Sequence, residues 1–297
     1  MKTLRAACET GEFIVSVEAP PPKGIEMSDF IARAKNLLGS VHAINVTDNQ
    51  AAIMRASSLS VSKVLLEMGH DPVFQITGRD RNRLGIQADL LGAHILGIRN
   101  VLSLTGDYVT VGDQKESKPV FDLESVQILK VIAGFNLGID MTGKPITGQT
   151  AFFPGATVTP ETQPLEPILV KFEKKIRAGA RFFQTQAVFD IERFARFMSD
   201  ARQFDVKIIA GILLLRSERM ARYVTRHIPG IRVPQLLIER LAKAECVEEG
   251  LEMGTEIAVE TIQQLKPLCD GVHLMAIGAE QQIPVILERA GLLPRTS

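Results

Sequence analysis

The chain has 297 residues, 45% of them hydrophobic, and its 34 basic side chains balance 34 acidic ones. That length can bury one large core, and zero net charge gives no electrostatic grip on nucleic acid or an anionic membrane surface. Cys8, Cys246 and Cys269 lack the spacing of a zinc site or a disulfide framework, and no apolar run reaches membrane-spanning length, so a cytoplasmic protein without a metal is expected.

The first strand is read at 13–18, where Phe13-Ile14-Val15-Ser16-Val17 runs into Glu18 and then into Ala19-Pro20-Pro21-Pro22. A strand that is apolar on both faces belongs in a parallel sheet, and proline, with no N–H to give the ladder, stops it there. Glu18 therefore stands at the carboxyl end of a buried strand, a setting suited to a general acid. Further strands are read at 42–47, 72–77, 100–105, 149–153, 181–186, 207–213 and 271–276. Between them lie stretches with helical apolar spacing, such as Phe30-Ala34-Leu37 and Phe194-Phe197-Met198. The segment 214–265 is too long for one helix and is expected to hold two or three, with Pro234 as a break.

Unbroken alternation of strand and helix predicts an α/β fold, a (β/α)8 TIM barrel forming a single domain over residues 1–297, with extra helices in about 214–265. A doubly wound open sheet is the second choice. It usually carries G-x-G-x-x-G after its first strand, and none is present here.

In a barrel, chemistry sits on the loops that follow the strands. Those positions hold Glu18, Thr47-Asp48-Asn49, Gln75-Ile76-Thr77-Gly78, Thr105-Gly106-Asp107-Tyr108, Phe153-Pro154-Gly155 and Gln184-Thr185-Gln186. Carboxylates, glutamines and hydroxyls at one mouth suit hydrogen bonding to a polar heterocycle, with a carboxylate for proton transfer. His42, His94 and His273 are assigned to strand or helix positions, not to catalysis. Neither a nucleophile triad nor a metal centre is read.

The ordered series FIVSVEAPPP, NVTDN, ITGRD, SLTGD, RAGARFFQTQ with a following Phe-Asp, and AGIL resembles the 5,10-methylenetetrahydrofolate reductase family over about residues 10–290. The resemblance implies a flavin-dependent barrel that reduces 5,10-methylenetetrahydrofolate to 5-methyltetrahydrofolate. By motif position, Glu18 is the implied general acid, and Asp107 lies beside flavin and pterin. Gln186 meets the folate ring, and Thr47 touches substrate as well as cofactor. Gln75, Thr77, Thr105, Gly106, Phe153, Lys174 and Lys175 complete the implied flavin site. FAD is the expected cofactor, with FMN as the alternative.

Some positions depart from the family pattern. Gln75 stands for a histidine and Phe153 for a tyrosine. Glu218 falls where bacterial members carry a stacking aromatic. These changes thin the contacts to the flavin's dinucleotide half and to nicotinamide. The electron donor is therefore left between NAD(P)H and a partner redox protein, and a homo- or hetero-oligomer is expected. Two other classes compete. One is a non-catalytic folate- or flavin-binding subunit of a larger redox complex. The other is a barrel aldolase or synthase, which would want a Schiff-base lysine or a metal at a strand end.

Overall fold

Alternation of apolar strands with amphipathic helices resolves, in the computed structural model, into eight parallel strands that pair in chain order and close, β8 onto β1. Residues 2–228 and 230–293 are described; residue 1 and residues 294–297, the ends of the expected domain, lie outside that range. In chain order the elements are α1 (Leu4–Thr10), β1 (Ile14–Ala19), α2 (Ser28–Lys35), β2 (Ala43–Val46), α3 (Ser58–Glu67), β3 (Pro72–Thr77), α4 (Arg83–Ile95), β4 (Asn100–Leu104) and α5 (Ser125–Asn136). There follow β5 (Phe153–Val158), α6 (Glu166–Arg177), β6 (Phe182–Ala187), α7 (Ile191–Ala201), β7 (Lys207–Leu213), α8 (Glu218–His227), α9 (Gln235–Leu241), α10 (Val247–Leu265), β8 (Gly271–Met275) and α11 (Ile283–Arg289). The expected (β/α)8 barrel is the fold observed. The segment 214–265 holds three helices, α8 to α10.

Successive residues of a strand face opposite sides, so each strand sends alternate side chains into the barrel. The outward set, including Val15, Val17, Ile44 and Val46, packs against the helices. The inward set is layered. At the bottom, Ile14, Val73, Phe153, Phe182 and Ile209 pack with Leu4, Ala7 and Cys8, so that α1 plugs the barrel floor. Burying one such leucine contributes about 1.5–3 kcal/mol. The plug is pinned where Leu4 N–H donates to Asp71 Oδ2 at 2.7 Å. Above this floor the inward residues become polar, and the site begins there.

β5 is shifted from expectation. Residues 149–152 precede the strand, which starts at Phe153 rather than ending there. Pro154-Gly155 looks like a turn in sequence, yet both lie within the ladder, Gly155 opposite Phe182. A Cβ on Gly155 would fall 2.2 Å from Phe182 Cζ, so the glycine makes room for a ring inside the barrel. The residues at the carboxyl end of β5 are therefore Thr157, Val158 and Thr159. Among the described residues no helix is long and apolar enough to cross a membrane.

Candidate active site

A cavity of about 500 Å³ opens at the carboxyl ends of the strands. Of the residues singled out from sequence, Glu18, Gln75, Thr77, Thr105, Gly106, Asp107, Lys175 and Gln186 line it together. Three others do not. Phe153 sits in the bottom layer, stacked on Phe182 with ring centroids 5.4 Å apart, because the strand begins with it. Lys174 is exposed on α6, since consecutive helical residues diverge by about 100° and Lys175 takes the inward direction. Thr47 is fully buried beside β2, outside the cavity lining, and its Oγ1 has no hydrogen-bond partner among the described residues.

Glu18 ends the inward set of β1, and its side chain is 11% exposed. Its Oε1 accepts from Gln50 Nε2 at 3.0 Å, and His273 Nε2 lies 3.9 Å from Oε2. His273 belongs to β8 and lines the cavity, a place not expected from sequence. The cue was available. Carrying the two-residue alternation through β8 puts position 273 on the inward side, beside Ser16.

Asp48, at the exit of β2, acts as a brace. Its Oδ2 accepts from the Thr77 N–H and Thr77 Oγ1, both at 2.8 Å, and from Arg81 Nη1 at 2.7 Å. Burial works against the Arg81 charge, but Asp48 and Asp89 outweigh it and raise its pKa. Arg79, only 1% exposed, spans the next gap. It donates to Asp80, to the Asp107 carbonyl at 3.2 Å and to the Asn49 carbonyl at 3.0 Å. Burial penalises the Asp80 carboxylate, yet Arg79 more than offsets this and holds it below the usual range. Paired charges of this kind fix the loops after β2, β3 and β4 relative to one another.

Gly106 takes φ +94°, and a Cβ there would lie 2.9 Å from Arg79 Cβ and 3.2 Å from Thr77 Cβ. Only glycine fits a left-handed turn at that approach. It presents the next residue, Asp107, at the cavity rim. Beside the end of β5 Lys175 is buried, with Nζ donating to the Thr157 carbonyl at 2.6 Å. Burial, helped by the nearby Lys171 charge and opposed by Glu124, lowers the Lys175 amine from 10.5 to about 8. Among the described residues no group of three or more His, Cys, Asp or Glu side chains could hold a metal ion.

Fold and site together define a barrel protein whose cavity presents carboxylates, amides and a buried amine to a polar ligand. Residues 3–291 match the family model described as methylenetetrahydrofolate reductase. The chain belongs to the methylenetetrahydrofolate reductase family, which bears out the resemblance read in its motif series. It is 27% identical over 295 residues to the 5,10-methylenetetrahydrofolate reductase of Salmonella typhimurium, covering 96% of this chain and 93% of that one. To methylenetetrahydrofolate reductase 2 of Schizosaccharomyces pombe it is 27% identical over 306 residues, covering 96% of this chain and 46% of the other. The chain thus spans less than half the length of that eukaryotic relative. Among solved structures, an uncharacterized protein from Clostridium thermocellum, described as binding two copies of 5-methyl-5,6,7,8-tetrahydrofolic acid, superposes with a TM-score of 0.64. The two are 15% identical, over 97% of this chain and 96% of that one, a likeness of fold.

Proposed function

We propose that this protein reduces 5,10-methylenetetrahydrofolate to 5-methyltetrahydrofolate, with Glu18 as proton donor and a flavin as hydride carrier. Family membership supports the reaction class. The observation that carries the finer reading is that Glu18, Asp107 and Gln186 line one cavity.

A flavin fits the residues present. The volume lies within the range of small-molecule sites. Gln75, Thr105 and Gly106 offer polar groups and a close backbone approach to a ring, while Lys175 and Lys171 offer positive charge to a phosphate. FAD is the proposed form, with FMN as the variant. Once bound and reduced, the flavin supplies the hydride that the methylene carbon takes up.

The protein's own groups do the rest. An amine leaves poorly unless protonated, so the Glu18 carboxyl gives its proton to the bridging aniline-type nitrogen. That C–N bond breaks, and the neighbouring nitrogen's lone pair forms a cationic iminium on the substrate. The Asp107 carboxylate stabilises that positive charge, and Gln186 holds the pterin edge. Glu18→Gln tests the assignment. Turnover should fall by about 10²–10⁴-fold with flavin still bound, whereas undiminished turnover would remove Glu18 from the chemistry.

For the electrons we propose a partner redox protein in preference to NADH. Glu218, where the family pattern has an aromatic, opens α8 and lines a separate groove with Arg216 and Ser217. Cys8 and Cys269 stand as free thiols, which suits the proposed cytoplasmic location. Lys175 favours a second reading, a Schiff-base aldolase, because its lowered amine lines the cavity. Borohydride trapping of a carbonyl substrate on Lys175 would support that alternative.

A further inference from the structure

A row of buried polar side chains crosses the barrel at the floor of the cavity and ends at Glu18. Asn45 Nδ2 donates to Gln184 Oε1 at 2.5 Å, and Gln184 Nε2 donates back to Asn45 Oδ1 at 3.0 Å. Gln184 Nε2 also donates to Ser16 Oγ at 3.3 Å, and Ser16 Oγ lies 3.0 Å from His273 Nδ1. The other ring nitrogen, His273 Nε2, faces Glu18 Oε2. Asn45, Ser16, Gln184 and His273 are each 3% exposed or less. The row joins β2, β6, β1 and β8 across the full width of the barrel.

Donor counting assigns the imidazole tautomer. Ser16 Oγ accepts from Gln184, and its own hydrogen is then free to point at His273 Nδ1. A neutral imidazole carries one hydrogen, so with Nδ1 accepting, the proton sits on Nε2. The opposite tautomer would leave the Ser16 hydrogen without an acceptor in the row and set a bare nitrogen lone pair against the carboxylate that Glu18 becomes on giving up its proton. Both are unfavourable in a buried place.

We infer that His273, fixed by Ser16, Gln184 and Asn45, is a positioning residue for Glu18. Its Nε2–H steadies the carboxylate that remains once Glu18 has given its proton to the substrate. The separation of 3.9 Å is longer than a hydrogen bond. Catalytic hydrogen bonds are often long without substrate and tighten when it binds. This role rests on the reading of Glu18 as proton donor.

The test combines a double-mutant cycle with ¹⁵N NMR on the flavin-loaded protein. Turnover is followed in the direction that uses Glu18 as proton donor, as formation of 5-methyltetrahydrofolate from 5,10-methylenetetrahydrofolate with a reduced viologen dye as the electron source. His273→Leu should lower kcat by about ten- to a hundredfold, the size of one lost charge-assisted hydrogen bond, with KM little changed. His273→Gln, which keeps a donor, should recover much of the loss. In a Glu18→Gln background His273→Leu should cost nothing more. Ser16→Ala, a smaller change to the row, should also lower kcat and guards against misfolding of the leucine variant. With labelled histidine, the His273 ring should carry its proton on Nε2 at neutral pH. A proton on Nδ1, or losses that multiply, would overturn the inference. A crippled Glu18→Gln beside an undiminished His273→Leu sinks this inference alone. An undiminished Glu18→Gln sinks the underlying reading as well.

Discussion

Glu18 and Asp107 are tethered to consecutive residues of one turn. Gln50 Nε2 donates to Glu18 Oε1 at 3.0 Å, and the Ala51 N–H donates to Asp107 Oδ2 at 3.2 Å. The turn holds Asn49, Ala51 and Ala52 at φ 46°, 54° and 54°, a left-handed backbone that non-glycine residues seldom adopt. Strain of this sort persists where its surroundings impose it, and here the contacts run to the proposed proton donor and to the proposed charge stabiliser. Gln50→Leu removes the tether to Glu18 and leaves the strands alone. Steady-state kinetics should show turnover reduced by about three- to tenfold, the size of one neutral hydrogen bond, with thermal stability nearly unchanged. An unaltered kcat would mean that Glu18 holds its position without the turn.

Gly106 should tolerate no side chain. Gly106→Ala places a methyl against Arg79 and Thr77 and forces alanine to φ +94°. Denaturant melts should report a loss of about 1–3 kcal/mol, and flavin retention should fall with it. A variant as stable as the parent, with cofactor intact, would show that the Arg79 loop can give way.

Lys175 makes stability depend on alkaline pH. Its pKa falls from 10.5 unfolded to about 8 folded, mainly through burial. A depressed folded value means that the contribution is present above the unfolded pKa and is lost as pH falls through the folded one. Without cofactor, the protein should therefore gain stability relative to Lys175→Met between about pH 8 and pH 10, by about 1–3 kcal/mol. Urea melts of both proteins at the two pH values measure this. A constant difference would show that the amine is solvated.

NADH alone should reduce the bound flavin slowly. The groove at Glu218 is separate from the cavity, and Glu218 itself offers no ring for nicotinamide to stack on. Stopped-flow mixing of oxidised holoprotein with NADH checks this. Bleaching as fast as turnover would make NADH the direct donor and remove the need for a partner.

Most of the barrel was legible because apolar, β-rich segments alternate with helical spacing, and seven of the eight strands lie at nearly the positions so read. β5 was not, because Pro154-Gly155 carries the chemistry of a turn while serving a packing need inside the barrel, which only the position of Phe182 explains. Phe153 left the site with that shift. Lys174 and Lys175 could not be separated by composition, since the choice depends on the phase of α6. Alternation puts His273 on the inward side, but a histidine within an apolar strand looks the same in sequence whether it serves the core or the site. Its meaning lies in Ser16 and Glu18, more than two hundred residues away in the chain. The charges of Arg79, Asp48 and Arg81 were likewise invisible as a unit, because two loops, after β2 and after β3, bring them together.

The most direct test is an anaerobic titration of the flavin-loaded protein with 5-methyltetrahydrofolate, followed by visible absorption. Reversal of the proposed reaction delivers hydride to the oxidised ring, so the flavin bands should bleach with about one equivalent of folate. A protein that takes up no flavin, or whose flavin stays oxidised with excess methyltetrahydrofolate, would contradict the assignment.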